Sequence, residues 1–348
     1  LSNTFLYYAA GMVILEEFNP EYKGFYTALI AVFNFIFASL LYKRIEIDRN
    51  LIFLLIGLVL TFLSLVAPIQ LNGNYITVFW AVESVLLLWL SQNSGIPIIK
   101  FSSLIVLFLM AVSLVIDWQQ IYFNLYGDEN QTLAIVFNKA FITGLVSLGA
   151  ILGNIILIKK EKEKTLFKFL PVKIYTIALK ILFIITLYMV LMLELNYQLG
   201  VRLAHYAFKP IYTGAYHLAF ITGLMLYSRL RHIKYLFEVS IFLAIIVILA
   251  YLSVFIPAFY ETVDLYLTGE NYSRIHFGFH FITVALFIAM VFVYRNQVVK
   301  ALSENHIVNR LNLWFVVIIL IAALSAELDQ IMLFSQYEMP ADIAETEN

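Results

Sequence analysis

Apolar runs long enough to cross a hydrocarbon core alternate along this 348-residue chain with short polar stretches. The run LIFLLIGLVLTFLSLVAPI, Leu51–Ile69, is typical. A membrane helix needs roughly 20 predominantly apolar residues. The pattern predicts spans at 4–15 (a partial one), 25–42, 51–69, 76–90, 101–117, 141–158, 174–195, 211–227, 236–255, 276–294 and 311–326. The expected fold is all-α: a polytopic integral membrane protein of about 11 transmembrane helices, the first incomplete. Residues 1–337 are expected to form one helical transmembrane domain and 338–348 an acidic external tail. The first run is short and lacks a basic leader, so the chain is expected to be a fragment of a longer protein.

Composition agrees with the pattern. Hydrophobic residues make up 62% of the chain, against ~45–50% in ordinary soluble domains. Charged residues are only 13%, and mean hydropathy is +0.89. A water-soluble fold of this size could not hide so much apolar surface. No basic stripe interleaved with aromatics is present, which gives nucleic-acid binding no support. The absence of cysteine excludes disulfides, thiolate metal sites and cysteine nucleophiles. Phosphate-loop, G-x-S-x-G and S-x-x-K motifs are missing too, so an ATP-driven or serine-hydrolase mechanism would need another chain. No cofactor is expected.

The distribution of charge orients the chain. Sixteen of the 22 Lys and Arg fall in every second loop: Lys43, Arg44 and Arg49; Lys100; KKEKEK at Lys159–Lys164 with Lys168 and Lys173; Arg229, Arg231 and Lys234; Arg295, Lys300 and Arg310. The opposite loops carry Glu16, Glu17, Glu21, Asp117, Asp128, Glu129, Glu261, Asp264, Glu270 and the tail from Glu338. Basic loops resist translocation, which puts the KKEKEK side in the cytoplasm and the acidic side outside. Trp118–Asn138 and Pro257–Ile275 are the long external loops, and Asn196–Pro210 a shorter one. Trp118, Tyr122, Tyr126, Tyr197, Tyr206, Tyr212, Tyr260, Tyr266 and Tyr272 lie in or beside these loops, as an interfacial aromatic belt would.

One phrase recurs. AFITGL occurs at Ala140–Leu145 and again at Ala219–Leu224, with echoes at Phe25–Ala28, Tyr75–Val78 and Phe281–Val284. All five copies are expected in the first turns of helices running from outside to inside. An array of repeated antiparallel helical hairpins accounts for them. In each, the Thr can bond back to its own helix. An adjacent Gly or Ala lets a neighbouring helix approach closely.

Polar residues within spans need a reason, because an ionisable group at bilayer depth costs about 2.5–3.5 kcal/mol on insertion scales. Glu83 stands near the centre of its span, on a broad face with Thr77, Trp80 and Ser84. It reads as a proton-carrying carboxylate, a cation ligand, or a neutral acid bonded to a neighbouring helix. Asn34 shares a face with Thr27 and reads as interhelical glue. Glu194, at a helix end, reads as solvated. Near the external ends, His276, His280 and Thr283 share one face, as do Thr213, Tyr216 and His217. With His205, Glu261 and Asp264 they could line a polar vestibule. Two His at i and i+4 can chelate a divalent metal, yet a single such pair without H-E-x-x-H assigns none. Ordinary interfacial histidines also fit, and no catalytic residue is assigned.

The stretch PIQLNGNYITVFWAVESVLLLWL, Pro68–Leu90, carries a family resemblance. Its proline-containing helix end, polar turn and W-A-x-E helix, on Pro68, Gly73, Trp80, Ala81 and Glu83, resemble a large bacterial family of multi-pass membrane proteins catalogued as domain of unknown function 2339. LSAELD at Leu324–Asp329 is a second similarity. The resemblance implies a bacterial inner (cytoplasmic) membrane protein connected with the cell envelope, in a family whose members continue beyond both ends of this chain. It brings no reaction with it. The expected function is transport, or an envelope-scaffold role, with Glu83, Trp80 and Asn34 in a polar core and the histidines in an outer vestibule. The alternative is a membrane enzyme acting on a lipid-linked or glycan substrate at the outer face. Expected partners are the lipid bilayer, and either envelope proteins or further copies of the chain.

Overall fold

The computed structural model describes residues 2–42, 49–123, 132–161, 165–166, 170–268, 273–301 and 306–336. Lys43, Arg44, Lys162, Lys164, Lys168, Tyr126, Asp128, Glu129, Glu270, Tyr272 and the acidic tail 338–348 therefore lie outside the described residues.

The described chain is almost entirely helical. Its helices are α1 (Ser2–Phe18), α2 (Lys23–Tyr42), α3 (Arg49–Gln70), α4 (Asn74–Ser94), α5 (Pro97–Trp118), α6 (Lys139–Ile158), α7 (Val172–Arg202), α8 (Lys209–Leu230), α9 (Lys234–Ala250), α10 (Ile256–Leu267), α11 (Ile275–Ala301) and α12 (His306–Gln336). Between α6 and α7, Thr165–Leu166 pairs antiparallel with Leu170–Pro171. Among the described residues, nine helical stretches are long and apolar enough to cross a membrane. Such a chain is a multi-pass membrane protein. The two expected spans outside that set are the short α1 and α8. α8 carries Thr213, His217, Thr222 and Ser228 and packs on α9 and α11, so much of its surface meets protein. Elsewhere large apolar side chains face outward: Phe33, Phe35, Phe292 and Trp314 are all more than half exposed. Patches of that kind suit lipid.

Local chemistry sets several boundaries. α4 begins after Gly73 and ends at Gly95, both at positive φ, and Gly95 N–H caps the Ser91 carbonyl. Glycine adopts such conformations without a Cβ penalty. α5 opens on Pro97, where a missing N–H costs no helical bond. Asn138 caps α6, its side chain accepting from Phe141 N–H at 2.9 Å.

The chain divides into two compact units, Leu1–Glu194 and Leu195–Asn348. In the first, α2 lies along α3, and α4 packs against both α5 and α6. Buried hydroxyls and amides tie these helices: Ser103 Oγ donates to Ser84 O at 2.8 Å, and Asn154 Nδ2 to Ser84 Oγ at 3.2 Å. In the second unit, α8 packs against α9 and α11, and α10 against α12. Its core is a large apolar cluster that includes Phe208, Met225, Tyr251, Phe259, Phe287 and Met290.

Three expectations give way. Pro257–Ile275 is not a loop over its first half. α9 runs through a π-helical turn at Tyr251–Phe255 into α10, making one apolar stretch from Lys234 to Leu267. The repeated phrase does not always open a helix. Its second full copy lies in the middle of α8, because that helix begins earlier, at Lys209. Glu194 is not solvated, being only 5% exposed.

Candidate functional site

The second unit holds a buried pair of ionisable residues. His280 on α11 and Glu327 on α12 are 2% and 6% exposed, and Nε2 lies 2.7 Å from Oε2. The other ring nitrogen, Nδ1, is 2.9 Å from the Phe277 carbonyl. A carbonyl only accepts, so Nδ1 carries a hydrogen and one further proton lies between Nε2 and the carboxylate. The two residues thus share a proton, with no imidazole lone pair left over. Phe259 and Phe277 surround the ring, with centroids at 5.2 and 4.9 Å.

Several buried polar atoms of this unit lack hydrogen-bond partners among the described residues. Glu327 Oε1, the Tyr251 hydroxyl and both amide atoms of Gln330 have no hydrogen-bond partner among the described residues. Tyr251 is 0% exposed, stacks on Phe287 at 3.7 Å and has the Glu327 carboxylate close by. Tyr251 also opens the π-helical turn, a rare local form frequent at functional sites. Gln330, 0% exposed, follows Glu327 by one turn on the same face of α12. Further along, Tyr260 OH donates to Asp329 Oδ2 at 2.8 Å. Buried polar groups are nearly always satisfied, so these atoms need an explanation.

The remaining vestibule candidates do not converge on the pair. His276 is half-buried, stacks on Phe208 at 4.2 Å and bonds the Tyr212 hydroxyl through Nδ1 at 2.8 Å. The i, i+4 histidines therefore turn to different partners and do not form a chelate. Thr283, on the same face, donates to Ile211 O and ties α11 to α8. His205 caps a short 3-10 turn by accepting from Ala207 N–H. His217 lies among Tyr216 and Phe255. Glu261 and Asp264 are exposed on α10. No group of three or more potential His, Asp or Glu metal ligands occurs among the described residues.

The polar-core candidates lie in the first unit. Glu83, 6% exposed, accepts from Ser64 Oγ on α3 at 2.6 Å, and Trp80 Nε1 donates to the Ser64 carbonyl at 3.2 Å. Glu83 Oε2 has no partner among the described residues. Asn34 is buried and bonds its own helix, at Ile30 O, with no bond to a neighbouring helix among the described residues. Thr77 donates to Asp117 Oδ2 at 2.5 Å.

Sequence reading missed the best-satisfied carboxylate. Glu194 accepts from Tyr122 OH at 2.8 Å, Asn138 Nδ2 at 2.7 Å and Val136 N–H at 2.9 Å. Tyr122 belongs to a second π-helical turn, Gln119–Phe123. Glu327 was also unassigned, although LSAELD contains it; an acid inside an apolar run was the available signal. The first unit also has an apolar cleft of about 640 Å³, lined by residues that include Leu114, Trp118, Thr186 and Leu193.

No family model, no curated protein and no solved structure matches this chain.

Proposed function

We propose that the protein is a transport protein of the bacterial cytoplasmic membrane, with the His280–Glu327 pair as its polar centre. The observation that carries this reading is a proton-sharing pair buried beside unpartnered polar atoms in a membrane-spanning unit. Ionisable residues held within membrane helices mark substrate, ion and proton pathways by default. A His-based enzyme fits less well, since both ring nitrogens are engaged and none faces a substrate. The apolar cleft favours the second reading, an enzyme on a lipid-linked substrate, but its lining contains no acid and no histidine.

The finer topology belongs to the same proposal: eleven spans, KKEKEK in the cytoplasm, acidic loops outside, and membership of the uncharacterised family that Pro68–Leu90 resembles. The Lys100–Glu161 ion pair, at 3.1 Å, supports the alternation by joining the first turn of α5 to the KKEKEK segment, both assigned to one side. Repetition draws support from the burial pattern. Thr77, Ala81, Leu88, Ser91, Ser103 and Leu107 are buried in α4 and α5; Gly214, Leu218, Met225, Ser228, Ser240 and Ala244 are buried at the same spacings in α8 and α9. Ser91 and Ser228 even bond equivalent carbonyls, Leu88 and Met225.

Reconstitution into vesicles loaded with a pH-sensitive dye tests the function. The full-length protein should pass protons when an electrical potential is imposed, and Glu327→Gln should abolish that flux while Asp264→Asn leaves it intact. Equal flux in protein-free and protein-loaded vesicles would overturn the transport reading.

A further inference from the structure

At the opposite end of α11 from His280, an arginine is held in place without a counter-charge. Arg295 is half-buried between α11 and α12, and its Nη1 donates to Asn309 Oδ1 at 2.5 Å and to Asn312 Oδ1 at 3.2 Å. Asn312 Nδ2 in turn donates to the buried Tyr294 hydroxyl at 2.7 Å, which fixes that amide with its oxygen toward the arginine. A guanidinium carries five N–H groups, two of them on Nη1. Both Nη1 hydrogens are therefore committed to the asparagines. Nε and Nη2, which form the forked edge of the group, have no partner among the described residues, and no carboxylate there pairs with this cation. Two neutral amides orient the charge but cannot balance it.

We infer that the Nε–Nη2 edge of Arg295 binds the phosphate of an anionic phospholipid. The fork matches two oxygens of a phosphate, a geometry that gives arginine its preference for this group. A partly desolvated cation without a counter-charge is costly, and an anion on the free edge removes that cost. Depth and surroundings select a lipid. Arg295 directly follows the apolar run 276–294, so it stands where a membrane helix meets the headgroups. Ile288 and Phe292 precede it on the same face of α11, 43% and 70% exposed, and Leu313, one turn after Asn309, is 45% exposed on α12. Acyl chains lying along those side chains would continue from a phosphate on the fork. The topology proposed above puts this end in the cytoplasm, where anionic lipids occupy basic pockets between membrane helices. The site is separate from the polar centre of the transport reading, since His280 and Arg295 are about 22 Å apart along α11 at 1.5 Å per residue.

Native mass spectrometry on the full-length protein tests this, after titration in detergent with phosphatidylglycerol or with phosphatidylcholine of the same chains. Phosphatidylglycerol should form the tighter first adduct, because phosphatidylcholine brings its own cation to the headgroup. Arg295→Lys keeps the charge but loses the fork, and should weaken that adduct about tenfold or more, as loss of a bond to a charged group does. Arg295→Gln should weaken it further. Lys300→Gln and Arg310→Gln remove exposed cations from the same end of the unit and should leave the adduct unchanged. An adduct equally tight in wild type and Arg295→Lys would overturn the site. So would an equal loss in the Lys300 and Arg310 variants, which would mean diffuse attraction in place of a fork. Equal affinity for phosphatidylcholine would show that the net charge of the headgroup is not read, against the inference. Glycerol phosphate binding as tightly as phosphatidylglycerol would overturn the lipid assignment, because the acyl chains would then contribute nothing.

Discussion

His280 Nε2 and Glu327 Oε2 meet at 2.7 Å in a part of the second unit otherwise built from phenylalanine, tyrosine and aliphatic side chains. Breaking such a pair from one side is expensive because the surviving partner stays buried. His280→Leu should therefore destabilise the protein by about 3–5 kcal/mol. The double variant His280→Leu/Glu327→Met removes both charges and should recover most of that loss, since apolar replacement of a buried pair is often neutral. Unfolding curves of the single and double variants in one detergent give the coupling. Proton flux should be lost in both, which separates stability from function.

Glu194 makes the opposite case, a carboxylate whose purpose is packing. Asn138 both caps α6 through Oδ1 and donates to Glu194 through Nδ2. Asn138→Ala removes a helix cap worth ~1 kcal/mol and one bond to a buried carboxylate worth ~1.5–3 kcal/mol. The expected cost is about 2–4 kcal/mol. Asn138→Asp retains the cap but sets a second carboxylate against the first, and should be worse than alanine. Thermal unfolding of the two variants ranks them, and the order Asp better than Ala would overturn this account of Glu194.

Much of the fold was legible because lipid-facing surface leaves a hydropathy pattern. Each expected span coincides with a helix, and Glu83 announced itself as an acid in an apolar run. What failed did so for physical reasons. α10 carries Glu261 and Asp264 on an exposed face and Phe259 and Val263 on a buried one, and that amphipathic mixture looks like a loop to a pattern seeking continuous apolarity. Glu194 looked like a solvated helix end because its donors, Tyr122, Val136 and Asn138, are remote in sequence. The His276–His280 spacing was read correctly as one helical face. Which neighbour each ring would choose depended on α8 and α12, which spacing along α11 does not reveal.

Cysteine accessibility tests sidedness and depth together, since the chain has no native cysteine. Asn34→Cys and Glu83→Cys should resist a membrane-impermeant maleimide, because the native residues are 3% and 6% exposed. Glu261→Cys and Asp264→Cys should label from the external side of intact cells, and Arg231→Cys only after the membrane is opened. Labelling of Arg231→Cys in intact cells would invert the proposed orientation. Rapid labelling of Glu83→Cys would mean that water reaches the first unit's interior, and would move the transport pathway there.

The two copies of AFITGL are identical in sequence but not in surroundings. A Cβ added at Gly144, in the first copy, would come within 2.6 Å of Val190 Cγ2 on α7. One added at Gly223, in the second, would meet nothing within 4 Å. Their threonines keep a common habit, as Thr143 and Thr222 each bond the carbonyl four residues back. Gly144→Ala should thus push α6 from α7 and cost about 1–3 kcal/mol, the usual range for overpacking. Val190→Ala in the same molecule should restore most of it by removing the obstructing methyl groups. Gly223→Ala should be neutral or stabilise by up to ~1 kcal/mol, since alanine is the better helix former. Unfolding measurements on the three variants decide the matter. Equal penalties at the two glycines would mean that the second copy is covered by something outside the described residues, with a partner helix at α8 as the place to look.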